Sequence, residues 1–186
     1  MTRRAGAVPE RVAVTVERLD VAPDAAVLEI GCGAGVAAEL VAARLRTGTI
    51  LATDRSATAV ANARRRLAPY VAGGRARVEQ IAVEDADLPP GTYDAIFAIN
   101  VNVFWTGTDP ALVGRLLRAL RPAGRLVLAY EPPSPDRVPV IEARLRGALE
   151  GVGATVSVAG HPLGRSRLLV TEATPPHQRT GTNPDS

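Results

Sequence analysis

The sequence contains no lysine; all 22 of its basic residues are arginine. Arginine stays charged at any accessible pH, so it raises the isoelectric point without implying a basic face. Against 19 acids the balance is only +3, well short of the excess that marks a nucleic-acid surface. A single cysteine, Cys32, excludes an internal disulfide and fits a reducing, cytoplasmic setting. No apolar run approaches the ~20 residues needed to cross a bilayer, so no membrane span is expected. The basic start, MTRRAGAVPERVAV, has no continuous apolar stretch behind it, which argues against a secretory leader. No metal-ligand set is expected either.

What is present is the composition of a globular protein: 186 residues, 46% hydrophobic and 22% charged, enough for one domain with a substantial core. That domain is expected over 9–174, between a flexible arm (1–8) and a disordered, proline- and threonine-rich tail (175–186). Pro9 opens a helix reaching about Asp20, with Val12, Val16 and Leu19 on one side. Strands are expected at Ala26–Ile30, at Thr49–Thr53 finishing in Asp54, from Ala76 to Ala82 or Val83, at Asp94–Ile99 and at Arg125–Tyr130. The intervening helices are Val36–Arg46, with Leu40, Val41 and Leu45 inward, Ser56–Leu67 stopped by Pro69, and Ala111–Leu120. Arg121 to Gly124 reads as a turn before the fifth strand.

A proline-rich loop and a helix, Val140–Glu150, come next. Strands Thr155–Ala159 and Arg167–Glu172 are joined through His161-Pro162-Leu163-Gly164, too short a link for a parallel crossover, so the pair must be an antiparallel hairpin. The fold class is therefore α/β: a doubly wound, mostly parallel seven-stranded sheet with a C-terminal antiparallel hairpin.

The first strand runs into Gly31, Gly33 and Gly35, and a helix begins at Val36. Strand, glycine turn and helix together offer backbone N–H groups to a nucleotide-like ligand. A dinucleotide site wants its third glycine three residues after the second. Val36 stands there instead, and the pattern is E-x-G-x-G-x-G with Glu29 leading it.

Glu29 with Gly31-Cys32-Gly33-Ala34-Gly35 resembles the first motif of the class I S-adenosylmethionine-dependent methyltransferases. Tyr93 to Phe97 resembles that family's strand-four motif, and Leu120 to Leu128 its turn into strand five. The terminal hairpin resembles the family's topology, and the likeness covers about Val21 to Thr174. It implies a Rossmann-like fold that binds S-adenosylmethionine and releases S-adenosylhomocysteine. Asp54 matches the acid that holds the ribose hydroxyls, a task suited to a carboxylate's two acceptor oxygens, and Arg55 adjoins it. Glu84, or Asp85 beside it, matches the acid that receives the adenine amino group. Asn100 resembles the position that closes over the cofactor. Plainer roles compete: Asp54 could cap the next helix, as Ser56 could. Cys32 reads as space-filling in a tight turn, and Arg64-Arg65-Arg66 as a solvated face.

An activated methyl donor needs mainly an aligned nucleophile and the exclusion of water; orientation alone can supply roughly 7–11 kcal/mol. A general base is required only for a protonated acceptor. Over the ends of strands four and five stand Asn102, Phe104, Trp105 and Tyr130 as candidates to line the acceptor site, two of them adjacent in a chain that is only 3% aromatic. Phe104 and Trp105 could equally pack under the next helix. Glu131 and Tyr130 are the ionisable candidates for a base. The chain lacks the Asn/Asp-Pro-Pro-aromatic signature of amino methylation after strand four. A small-molecule acceptor with an O, N or C nucleophile is expected. The alternatives are an RNA or protein methyltransferase, and a module that binds the cofactor or a partner without turnover.

Overall fold

In the computed structural model residues 8–107 and 109–176 are described, so most of the expected arm and tail lies outside the described residues. The order is α1 (Glu10–Leu19), β1 (Ala26–Ile30), α2 (Val36–Arg44), β2 (Thr49–Asp54), α3 (Ala57–Ala72) and β3 (Ala76–Gln80). Then come β4 (Tyr93–Ile99), the four-residue α4 (Val103–Thr106), α5 (Pro110–Ala119), β5 (Leu120–Tyr130) and α6 (Arg137–Glu150). The pair β6 (Thr155–Leu163) and β7 (Ser166–Thr174) follows.

All seven strands join one sheet in the order β3-β2-β1-β4-β5-β7-β6. β1 to β5 pair in parallel, and β7 runs antiparallel to both β5 and β6. The chain winds outward from β1 in one direction to β3 and then crosses to β4, so the order reverses between β1 and β4. A crevice forms at such a point, beyond the carboxyl ends of the strands. Each face of the sheet carries its own apolar cluster. Val27, Val41, Leu67 and Phe97 lie in the layer beneath α1, α2 and α3. Leu28, Ile96, Leu116 and Leu145 lie in the layer beneath α5 and α6. Continuous apolar runs in β1 and β4 follow from burial on both sides.

Several boundaries differ from expectation. α2 stops at Arg44, because Leu45 turns extended and the amides of Arg46, Thr47 and Gly48 converge on the Pro23 carbonyl. Of its expected stripe, Val41 and Leu45 are buried but Leu40 only half so. α3 runs through Pro69 to Ala72 rather than stopping at Leu67. Tyr70 packs on the core there, and the Arg75 guanidinium lies 5.1 Å from its ring centroid. That packing outweighs the backbone hydrogen bond a helical proline forgoes.

β3 ends at Gln80, and the next residues curl into a turn closed by the Asp85 amide on the Ala82 carbonyl at 3.0 Å. β5 begins early: Leu120 already pairs with Tyr93, and the expected turn Arg121–Gly124 is a bulge inside the strand. α6 starts at Arg137, with Pro139 in its first turn, where a missing N–H costs little. The hairpin strands are longer than expected. Leu163 pairs with Ser166 across a two-residue Gly164-Arg165 turn, and Gly164 has φ +55°. Pro162 is tolerated because β6 is an edge strand.

Candidate functional site

A cleft of about 710 Å³ opens over the carboxyl ends of β1 to β4. Its floor at β1 is the glycine turn. Gly31 has φ +70°, and a Cβ there would meet the Val101 side chain at 2.5 Å, so only glycine allows the loop after β4 to lie so close. Gly35 has φ +76°, and a Cβ there would stand 3.1 Å from Ala63 of α3, so its lack of a side chain does the close-packing job that a dinucleotide site gives to a later glycine. Beside Gly33 the space is open, with nothing within 4 Å of where a Cβ would stand. The Cys32 amide donates to the Thr53 carbonyl at 2.9 Å, and the Gly33 amide to Asp54 Oδ2 at 2.9 Å, so the end of β2 fixes the shape of the turn.

Glu29 lies beneath this turn, 3% exposed. Burial pushes its carboxyl up to about 8; the Ala38 amide in the first turn of α2 opposes the shift and the Asp54 charge adds to it. Gly35, the residue before α2, offers no side-chain cap, so Glu29 supplies an acceptor to that helix end from outside the helix. Its Oε2 has no hydrogen-bond partner. The Cys32 thiol is buried and pushed up to about 12, by desolvation first and then by the Glu29 and Asp54 charges. It is therefore a neutral, space-filling group.

Of the residues named from sequence, Gly31, Asp54, Arg55, Glu84, Asp85, Asn100 and Asn102 line the cleft. Glu29, Cys32, Gly33 and Gly35 shape its floor from below or beside it. Sequence reasoning missed Ile81, Ala82, Val101, Val103 and Thr106, the apolar and small residues that complete the walls. Their position directly after β3 and β4 was the available signal. Asn100 takes a left-handed backbone, φ +56°. Its Oδ1 accepts the Glu131 amide at 2.8 Å and its own amide donates to the Ala129 carbonyl at 2.8 Å, which locks the ends of β4 and β5 together.

Asn102 of the expected acceptor wall lines the cleft, but the three aromatic candidates sit elsewhere. Phe104 is 1% exposed, and Phe104 and Trp105 both pack into the apolar layer under α5 and α6 rather than facing the cleft. Trp105 and Tyr130 meet edge to face, with ring centroids 6.2 Å apart. Burial pushes the Tyr130 phenol well up. The Trp105 N–H, turned toward it without reaching hydrogen-bond geometry, offsets only part of that shift, and both polar atoms are buried without a partner. Glu131 is also engaged: Oε1 accepts the Ser166 hydroxyl at 2.7 Å, and Oε2 pairs with Arg11 at 3.3 Å. The arginine triplet on α3 is spent internally as well. Arg64 donates to the Val78 carbonyl, Arg65 to Asn62, and Arg66 to the Ala34 carbonyl and Glu39.

A family model described as a methyltransferase domain matches residues 27–124, more than half of the chain. The chain belongs to the class I S-adenosylmethionine-dependent methyltransferases. Trans-aconitate 2-methyltransferase of Methylobacterium nodulans is 35% identical to this chain over 156 residues, covering 84% of this chain and 52% of that protein. The chain thus spans about half the length of the curated relatives it matches. Among solved structures, a SAM-dependent methyltransferase from Aquifex aeolicus superposes with a TM-score of 0.71 at 19% identity, covering 87% of this chain and 88% of that one. Phosphoethanolamine N-methyltransferase 2 of Haemonchus contortus, in complex with S-adenosyl-L-methionine, superposes at 0.69 with 13% identity, covering 89% and 52%. These likenesses show the fold.

The residues present fit the family's cofactor. The open space beside Gly33 admits a ligand against the backbone, and one oxygen of the buried Glu29 is left without a hydrogen-bond partner. Asp54 keeps free lone pairs beyond its two amide donors, and Glu84 and Asp85 are exposed acids on the cleft wall. Among the described residues no group of His, Cys, Asp and Glu is placed to hold a metal ion, and no helix is long and apolar enough to cross a membrane.

Proposed function

We propose that the protein transfers a methyl group from S-adenosylmethionine to a carboxylate oxygen of a small organic acid. The observation that carries the choice of acceptor is the state of the two candidate bases. Glu131 is held by a hydroxyl and a guanidinium, and the Tyr130 phenol is buried and keeps its proton at neutral pH. A carboxylic acid, with its pKa near 4, arrives already ionised and needs no base. The relatives named for trans-aconitate, a carboxylate, point the same way.

In this reading Asp54 takes the ribose hydroxyls, and Glu84 or Asp85 accepts the adenine amino group. The glycine turn from Gly31 to Gly35 receives the methionine end. Bound there, S-adenosylmethionine supplies a methyl group already activated on its sulfonium. Asn100, locked to the β5 end, and Val101, seated on Gly31, hold the loop that faces the reacting end. Val101 and Val103 keep that part of the cleft apolar, so water is excluded and the acceptor is oriented rather than chemically activated. The cleft is lined by residues between 30 and 106, and in this reading it belongs to a single domain over 9–174.

The test is transfer of labelled methyl, at saturating cofactor, to a panel of di- and tricarboxylates, phenols and amines. Carboxylates should be labelled as base-labile esters, at a rate nearly independent of pH between 6 and 9. Labelling confined to phenols or amines, with a rate that climbs with pH, would overturn the choice of acceptor.

A further inference from the structure

The turn that follows β3 carries Glu84 and Asp85 on the cleft wall, and it is gripped from behind by one side chain. Arg115, half-buried on α5, sends one guanidinium nitrogen to the Glu84 carbonyl at 2.7 Å and the other to the Ala86 carbonyl. These contacts bridge 31 and 29 residues of chain. Among the described residues Arg115 makes no ion pair, although three exposed carboxylates, Glu84, Asp85 and Asp87, stand on the 82–88 turn it grips. A guanidinium that has carboxylates within the same turn and yet takes carbonyls approaches from the opposite side. Glu84 and Asp85 line the cleft, while the arginine holds the same loop by its backbone carbonyls.

Fixing the Glu84 carbonyl fixes the peptide plane shared with Asp85, and fixing the Ala86 carbonyl fixes the next plane but one. The turn's own bonds, the amides of Asp85 and Ala86 on the carbonyls of Ala82 and Val83, hold what lies between. The Ala86–Val83 bond is long, at 3.4 Å, so beyond the Asp85–Ala82 bond the turn has little of its own to hold the Ala86 end. The planar fork of arginine spans both carbonyls at once, which the point charge of a lysine cannot do.

We propose that Arg115 is the positioning residue for adenine recognition: it holds the 82–88 turn in the one shape that presents an acid of that turn to the 6-amino group. The inference rests on the cofactor reading above. Its consequence is specificity. A site built to receive an N–H discriminates against an analogue lacking it only if the acceptor is held in place. With the grip removed, the carboxylate can swing and the discrimination decays, while the ribose and methionine contacts remain.

The test is calorimetry with S-adenosylhomocysteine and with its 6-oxo analogue, S-inosylhomocysteine, on the wild type and on Arg115→Ala, Arg115→Gln and Arg115→Lys. Hydrogen exchange is followed over 82–88. The wild type should prefer the 6-amino ligand about tenfold or more. Arg115→Ala and Arg115→Gln should reduce that preference to within about threefold and speed exchange of the Asp85 and Ala86 amides, with the affinity for the 6-oxo ligand little changed; Arg115→Lys should fall between. A preference that survives in the alanine and glutamine variants would overturn the proposal. So would an equal loss of both ligands together with a lowered melting temperature. No binding of S-adenosylhomocysteine to the wild type would instead overturn the cofactor reading, and the proposal with it.

Discussion

Asp54 Oδ2 accepts the Gly33 amide at 2.9 Å, across 21 residues of chain. Its other oxygen accepts the Ser56 amide at 2.8 Å, so one carboxylate holds the glycine turn and the entrance to α3 in a single arrangement. Ser56 itself accepts the Ala59 amide and caps that helix, which frees Asp54 from a purely capping role. Its spare lone pairs point to a carboxylate that shapes the cradle and lines it as well.

Asp54→Ala therefore removes both a binding group and the tie that preforms the loop. Loss of one charge-assisted hydrogen bond is worth about 1.5–3 kcal/mol, so S-adenosylhomocysteine affinity should fall by roughly 10–150-fold, measured by calorimetry. Asp54→Asn, which keeps an acceptor oxygen for Gly33, should lose less. An unchanged affinity in the alanine variant would remove the ribose assignment.

The order of elements and the floor of the cleft were legible in the sequence because they rest on local rules. Alternating apolar strands and helices dictate the doubly wound sheet, and glycines with an acid two residues before them dictate the turn. The features that escaped depend on contacts distant in the chain. Pro69 reads as a stop, yet Tyr70 finds a packing site and Arg75 a ring, so α3 continues. Ala82 and Val83 read as strand, but the edge strand has no further partner and Arg115 draws the chain into a turn. Phe104 and Trp105 fit the site rim and packing under the next helix equally well from sequence, and α4, one turn long, turns them into the apolar layer. Glu131 reads as a free carboxylate only until Arg11 and Ser166, 120 and 35 residues away, are brought to it.

Glu29 gives the protein a pH-dependent stability. Its folded pKa, about 8, lies above the ordinary value of 4.5. Between those values the folded state keeps a proton that the unfolded chain has released. The unfolded state thus binds fewer protons, and stability falls as pH rises through that window. Below 4.5 both states are protonated and the full contribution is present; above about 8 both are ionised and it is gone. Glu29→Gln cannot titrate. In urea unfolding from pH 4.5 to 8.5, the stability of wild type relative to the variant should decline steadily, by a few kcal/mol in all. A constant difference across that range would show that the carboxyl is not buried as described.

Tyr130 tests whether the phenol takes part in the chemistry. Its hydroxyl is buried without a partner, and the residue does not line the cleft. Removing an unsatisfied buried polar group is neutral or favourable, so Tyr130→Phe should unfold at the same urea concentration or a higher one, with a gain of up to about 1 kcal/mol. Trp105 is the only tryptophan in the chain and packs edge to face on this ring, so its emission follows that transition directly. A general base contributes typically 10²–10⁴-fold to a rate. Methyl transfer by Tyr130→Phe should instead stay within about threefold of wild type. A loss of a hundredfold or more with stability intact would place the phenol at the reacting atoms, and would require α4 to move aside to uncover it.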